Sequence, residues 1–206
     1  MISHRYKCIF IHIPRVGGSS LENWICGSDW WSIEKETKHL IASQAKELYK
    51  DYWDEYFTFA FVRNPWDRVV SMLKFQRYFG IRYQRRPIVR FLRRLNFEDY
   101  KLRFGNNIVL EHDYRFHERK NIISNHHHPG QVYGNILDEK LDFIGRYENF
   151  TEDCLKLQEM IGIQQSMAIH IEQSERKRYQ DYYNRKSIEE VRRLYAKDIE
   201  RFKYEY

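Results

Sequence analysis

Two stretches of this chain share one pattern, and it restricts the fold more than any other feature. In "KCIFIHIPRVGGSS" (7–20) and "YFTFAFVRNPWDR" (56–68), an apolar run ends in a polar turn holding a proline, and helical periodicity follows. Runs this rich in β-branched and aromatic residues suit strands buried on both faces, and the prolines mark where pairing stops. In the first turn, Gly17 and Gly18 let the backbone take positive φ and approach a ligand. Ser19 or Ser20 is expected to cap the helix that follows. A strand end, a glycine turn and a helix N-terminus together make an anion site.

The rest of the chain extends the alternation. "SSLENWICG" places Leu21, Trp24 and Ile25 at helical spacing with Gly27 as a stop, and "ASQAKELYKDYW" (42–53) continues helically. After Pro65, Trp66, Val69, Val70, Leu73 and Phe75 are expected on one helix face, with Asp67 in the first turn. "PIVRFLRRL" (87–95) reads as a helix with Pro87 at its first position, and Asn96 with Asp99 is spaced like a cap. "NHHHPGQVYGN" (125–135) is a loop by composition, and "KLDFIGRY" (140–147) is expected as a third buried strand. Thr151 is expected to cap "TEDCLKLQEMIG", and Ser187 with Glu190 to form a capping box for "SIEEVRRLYAKDIERF". Strands alternating with helices imply a mostly parallel sheet covered on both faces, with ligands beyond the carboxyl ends of its strands.

Charge narrows the partner. Thirty-five Lys and Arg against 29 Asp and Glu give a net charge of +6, which favours an anion: a nucleotide, a sulfated or carboxylated sugar, nucleic acid or a membrane surface. With 206 residues and 42% hydrophobic content, the expectation is a single globular domain over 1–206. Cys8, Cys26 and Cys154 are odd in number and widely spaced, so neither a disulfide framework nor a zinc site is implied. No apolar run approaches the roughly 20 residues of a membrane helix. With Met1 as the natural start, no signal peptide is seen and a cytoplasmic protein is expected.

"HIPRVGGSS" after one strand and "FAFVRNPWDRVVS" after another resemble the two cofactor signatures of the sulfotransferase superfamily. The likeness is to the carbohydrate sulfotransferases related to heparan sulfate 2-O-sulfotransferase. It extends to "HHHPGQVYG", "LDFIGRYENFTEDCLKL" and "YYNRKSIEEVRRLYAKDIERFKY", and so covers most of the chain outside roughly 75–120. The resemblance implies a P-loop-like three-layer α/β fold and 3′-phosphoadenosine 5′-phosphosulfate (PAPS) as sulfuryl donor, without a metal. The acceptor it implies is a hydroxyl, on a saccharide. Arg15, Val16, Gly17, Gly18, Ser19 and Ser20 match the turn that holds the 5′-phosphosulfate, and Arg63 with Ser71 match the pair that holds the 3′-phosphate. The family usually has lysine where this sequence has Arg15, a planar fork in place of a point charge. His39, in "KETKHLIAS", matches the catalytic histidine of the heparan-type enzymes, and neutral imidazole suits a general base. Glu34, Glu36 and His12 are the fallback bases.

Plainer readings stand beside these. His126, His127 and His128 are adjacent on a loop, point different ways and have no suitably spaced companion, so they do not imply a metal site. Trp30, Trp31 and Trp53 read as core or rim aromatics before sugar platforms. Arg86, Arg90, Arg93 and Arg94 share a side at helical spacing, which fits an acidic-acceptor groove or a solvated face. Two other function classes compete. A P-loop phosphotransferase is disfavoured because GxxxxGK[ST] is missing, and a noncatalytic RNA or polyanion binder leaves both strand-end turns unexplained.

Overall fold

The computed structural model describes residues 1–34, 37–72, 132–167 and 177–206. The expected helices at 87–95 and from Asn96, the positions Leu73 and Phe75, the histidines 126–128 and Glu36 lie outside them. The chain's contacts group into two compact units, Met1–Arg63 with Tyr133–Ser174, and Asn64–Val132 with Glu175–Tyr206.

The first unit is built on a four-stranded sheet in sequence order. β1 (Ile2–Ser3) runs antiparallel to β2 (Cys8–Ile11), and β2, β3 (Phe57–Val62) and β4 (Phe143–Arg146) are parallel. The expected first strand is therefore the second: the two-residue β1 is too short to leave a periodic signal. Every residue of β2 is buried, as a central parallel strand requires. Its Phe10 pairs in register with Phe59, and the two rings stack 4.9 Å apart. β4 departs from the reading of a buried strand, with only Gly145 of its four residues buried. The β3–β4 register is clasped at its start by Asp142. Its carboxylate accepts from the Thr58 backbone N–H at 2.8 Å and hydroxyl at 2.9 Å, while its own N–H donates to the Thr58 carbonyl at 2.9 Å.

Helices flank this sheet: α1 (Gly18–Cys26), the single turn α2 (Trp30–Ile33), α3 (Ala42–Leu48) and α4 (Lys50–Trp53). Tyr49 interrupts the stretch expected to be one helix over 42–53. Gly27 ends α1 at φ 75°, as its position suggests. Helix α5 covers residues 65–72 in the second unit, and α6 (Tyr133–Ile136) corrects the loop reading at 133–135. α7 (Phe150–Ile161) begins one residue before the expected cap, so Thr151 lies inside its first turn and Asn149 precedes it without a side-chain bond.

In the second unit, Asn64 caps α5 by accepting from the Trp66 N–H at 3.1 Å, with Pro65 at the first helical position. Trp66 then donates to the Ile188 carbonyl at 3.1 Å, and Arg68, fully buried, donates to the Tyr195 hydroxyl at 3.0 Å. These bonds tie α5 to α8 (Arg185–Leu194) and to Tyr195, the break before α9 (Ala196–Phe202). The α8 cap is Asn184, not Ser187. Ser187 sits three residues on and returns the bond as the far half of the box, which displaces Glu190 from that role.

A methyl group on Gly145 would lie 2.5 Å from Cε1 of Phe61, a ring with no solvent exposure. Gly145→Ala is therefore expected to lower stability by about 1–3 kcal/mol through overpacking. Urea unfolding, read as a fall in midpoint at constant slope, checks it.

Candidate functional site

β2 ends at Ile11, and the chain turns through His12, Ile13, Pro14, Arg15 and Val16 into α1. The helix starts at Gly18 with Gly17 as its N-cap at φ 86°, and no side chain caps it. This corrects the expectation for the serines: Ser19 and Ser20 lie inside the first turn, where their N–H groups belong to the positive end of the helix. Gly17 is needed twice over, since its φ is left-handed and a side chain there would meet the Phe150 ring at 2.6 Å. Gly18 is needed because a Cβ would collide with the His12 imidazole. The turn is thus a cradle of bare backbone between two rings.

Arg15 also has positive φ, 71°, an unusual state for a residue with a long side chain. Its carbonyl accepts from Nη1 of Arg63 at 2.9 Å, so the end of β3 holds the turn that follows β2. The Arg63 guanidinium is stacked over the Tyr147 ring at 3.9 Å, and its backbone exchanges hydrogen bonds with the Tyr133 hydroxyl. Arg63 is buried, and Arg15 and Val16 lie beside it as half-buried and buried positions. Ser71 is buried in α5, in the second unit.

Below the turn lies a charged cluster that the sequence did not disclose. Glu22, with no solvent exposure, accepts from His12 Nδ1 at 2.5 Å, from Lys38 Nζ at 2.7 Å and from the Trp30 N–H at 3.0 Å. Lys38, also buried, donates to Asp29 Oδ1 at 2.6 Å, and Asp29 also accepts from the Trp31 N–H at 2.9 Å. The missed signal was positional: Glu22 falls four residues after Gly18 and three before Ile25, on the buried face of α1.

Burial pushes the His12 imidazole below its ordinary value and outweighs the upward pull of Glu22, with the Lys38 charge adding to the fall. Burial pushes Glu22 the other way, but the charges and hydrogen bonds of His12 and Lys38 overcome it and hold the carboxyl below 4.5. At neutral pH His12 is therefore uncharged with its proton on Nδ1, since the ionised Glu22 can only accept.

His39 is buried beside this cluster. Its Nδ1 donates to the His12 carbonyl at 3.0 Å, and its ring meets that of His12 edge-on, centroids 4.6 Å apart. A carbonyl only accepts, so Nδ1 carries the proton, and Nε2 is the nitrogen able to take another when the ring is neutral. The site residues read from the sequence that belong to the first unit, His39, Arg15 to Ser20 and Arg63, thus converge on the ends of β2 and β3. Of the fallback bases, His12 is committed to Glu22, while Glu34, exposed, accepts from the Thr37 hydroxyl at 2.8 Å. Trp30 and Trp53 are core residues, whereas Trp31 is 49% exposed with its ring 6.0 Å from that of His39. Among the described residues no group of three His, Cys, Asp or Glu could hold a metal, and no helix is long and apolar enough to cross a membrane.

The two depressed groups make stability depend on acid in a fixed direction. An unfolded chain takes up the His12 proton below about 6.5 and the Glu22 proton below about 4.5, each before the folded chain does. Stability is expected to be full above both values and to fall in two stages as pH drops. Glu22→Gln is expected to keep the stage near 6.5 and flatten the one below 4.5, checked by melting temperature against pH.

No curated protein sequence and no solved structure is similar enough to this chain to count as a match. A model of the sulfotransferase family matches residues 1–205, nearly the whole length, and takes in both strand-end turns, His39 and the buried cluster. Sulfuryl transfer is the reaction of that family, with a nucleotide as the general donor. The chain belongs to the sulfotransferase family.

Proposed function

We propose that this chain transfers the sulfuryl group of PAPS to an acceptor hydroxyl on a saccharide, by in-line displacement with His39 as general base. The observation that carries the reading is the placement of His39: its Nδ1 is held by the carbonyl of His12, the residue that leads into the glycine turn. A base and an anion cradle on one strand end fit transfer between a bound anion and a hydroxyl. In this reading the N–H groups of Gly17, Gly18 and Ser19, with Val16 and the hydroxyls of Ser19 and Ser20, grip the 5′-phosphosulfate, while the Ser20 N–H donates to the Gly17 carbonyl at 3.1 Å. Arg15 neutralises the charge that grows on the departing phosphate. Arg63 takes the 3′-phosphate.

In the transfer, the acceptor oxygen bonds to sulfur as the bond from sulfur to the bridging oxygen breaks. His39 Nε2 receives the hydroxyl proton, and 3′-phosphoadenosine 5′-phosphate (PAP) departs. The family match favours this over phosphoryl transfer and over passive polyanion binding, the two readings that compete at the level of sequence.

The residues are expected to fail differently when removed. His39→Ala should lower turnover by about 10² to 10⁴ with PAP affinity nearly unchanged. Arg63→Ala should weaken PAP by about 2–5 kcal/mol, the cost of stripping a charged partner from a buried pair. Wild-type kcat/KM should rise with pH as the base loses its proton, a dependence expected to vanish in His39→Ala. Single-turnover kinetics with labelled PAPS and calorimetry with PAP measure these, and a His39→Ala enzyme with wild-type turnover contradicts the role given to that residue.

Activity is also expected to survive EDTA, because Arg15 and the turn amides supply the charge stabilisation that a metal would otherwise give. Loss of activity in EDTA that magnesium restores would point to phosphoryl transfer instead.

A further inference from the structure

Trp31 stands half in solvent, 49% exposed, although tryptophan is on average a highly buried side chain. Its mounting is firm. The neighbouring Trp30 is buried, its indole N–H donating to the Thr37 hydroxyl at 2.9 Å and its backbone N–H to Glu22 at 3.0 Å. Asp29 caps the same turn by accepting from the Trp31 N–H at 2.9 Å. With Trp30 anchored inside, α2 carries the Trp31 ring at the surface. A row of contacts leads to it from the glycine turn: Gly18 lies over the face of the His12 ring, His12 meets His39 at 4.6 Å between centroids, and His39 meets Trp31 at 6.0 Å. Lys38 Nζ, itself tied to Glu22 and Asp29, lies over the indole 5.7 Å from its centroid.

We propose that Trp31 is the acceptor platform: its indole stacks on one pyranose ring of the saccharide and keeps a hydroxyl of that ring beside His39. The proposal rests on reading His39 as the base and the acceptor as a sugar. A pyranose carries C–H bonds on its faces and hydroxyls around its rim. The slightly positive C–H groups suit the negative face of an aromatic ring, and the rim hydroxyls stay available to water or to a base. Tryptophan offers that face with only two side-chain torsions to restrain, so little freedom is lost on binding. A buried imidazole with Nδ1 committed to the His12 carbonyl can take a proton at Nε2, but it presents no surface on which a whole ring can be oriented. The indole against it supplies that surface.

The probes are heparosan and chondroitin hexasaccharides, unsulfated chains of alternating uronic acid and hexosamine whose carboxylates suit the net charge of +6. With labelled PAPS as donor, Trp31→Leu keeps an apolar side chain but no aromatic face. It is expected to raise the acceptor KM about fivefold to a hundredfold, the scale of one lost stacking contact, with kcat and PAP affinity within about twofold of wild type. Trp31→Phe restores a face and should recover most of the loss. In ¹⁵N spectra of wild type, with and without PAP, millimolar hexasaccharide should move the Trp31 indole N–H signal, identified by its absence in Trp31→Phe, and leave those of the buried Trp30 and Trp53 in place.

An unchanged KM in Trp31→Leu overturns the proposal. So does a fall in kcat at constant KM, which would mean that the indole acts only through His39, and so do equal effects of Leu and Phe, which would reduce it to apolar packing. An indole signal that neither hexasaccharide moves overturns it without recourse to any variant, as does transfer to 4-nitrophenol and to neither sugar. Two outcomes separate the platform from the reading beneath it. Sulfuryl transfer to a hexasaccharide that ignores Trp31 removes the platform and leaves that reading standing. A Trp31 signal moved by sugar in a protein that does not bind PAP sinks the sulfuryl-transfer reading and supports the platform.

Discussion

The contact on which the site depends is the buried carboxylate of Glu22, shared between His12, Lys38 and the Trp30 backbone. A lone charge at this depth would be intolerable, and removing one partner of such a pair typically costs about 3–5 kcal/mol. The residues are therefore locked together. Once they are, the His12 ring has one place to go, under Gly18, and the His12 carbonyl is aimed at His39. Residues 27–34 and 37–41 are pinned through Asp29 and Lys38 to the same point. Rigidity suits the donor-binding role proposed for this turn, since preorganised donors need no rearrangement when an anion arrives.

The second constraint comes from β3. Arg63 donates to the carbonyl of Arg15 while its guanidinium rests on Tyr147, so parallel strands and the start of the segment after β4 meet at one cation. This explains how a bulky residue is kept at positive φ in the turn. The strain at Arg15 is offset by a charge-assisted bond to its own peptide, and a strained residue so held is common where the backbone meets a ligand. The backbone of Arg15 and not its side chain makes this contact.

Much of the fold was legible because it rests on period and punctuation. β2 and β3 are continuous apolar runs ended by Pro14 and Pro65, and such runs have few alternatives in a chain with alternating helices. The errors lie where several polar residues compete for one job. Ser19 and Ser20 looked like caps, but the left-handed state of Gly17 starts the helix earlier; Ser187 looked like a cap, but Asn184 reaches the helix first. β4 is half-buried and so broke the expectation of a buried strand. The Glu22 cluster was the least legible part. Its members are 16 residues apart at the widest step, and each by itself resembles an ordinary surface charge. Only the placement of Glu22 on the apolar face of α1 betrays it.

The central claim is the proposal that the strand-end turn is a donor site built from backbone. The most direct measurement is a titration of ¹⁵N-labelled protein with PAP and, separately, with AMP, which differs only by the 3′-phosphate. The account predicts that PAP moves the amide signals of Gly17, Gly18, Ser19 and Ser20, and that AMP reaches the same amides with an affinity at least about tenfold lower. Amides of the turn that stay unmoved at saturating PAP, or equal affinity for the two nucleotides, would contradict it.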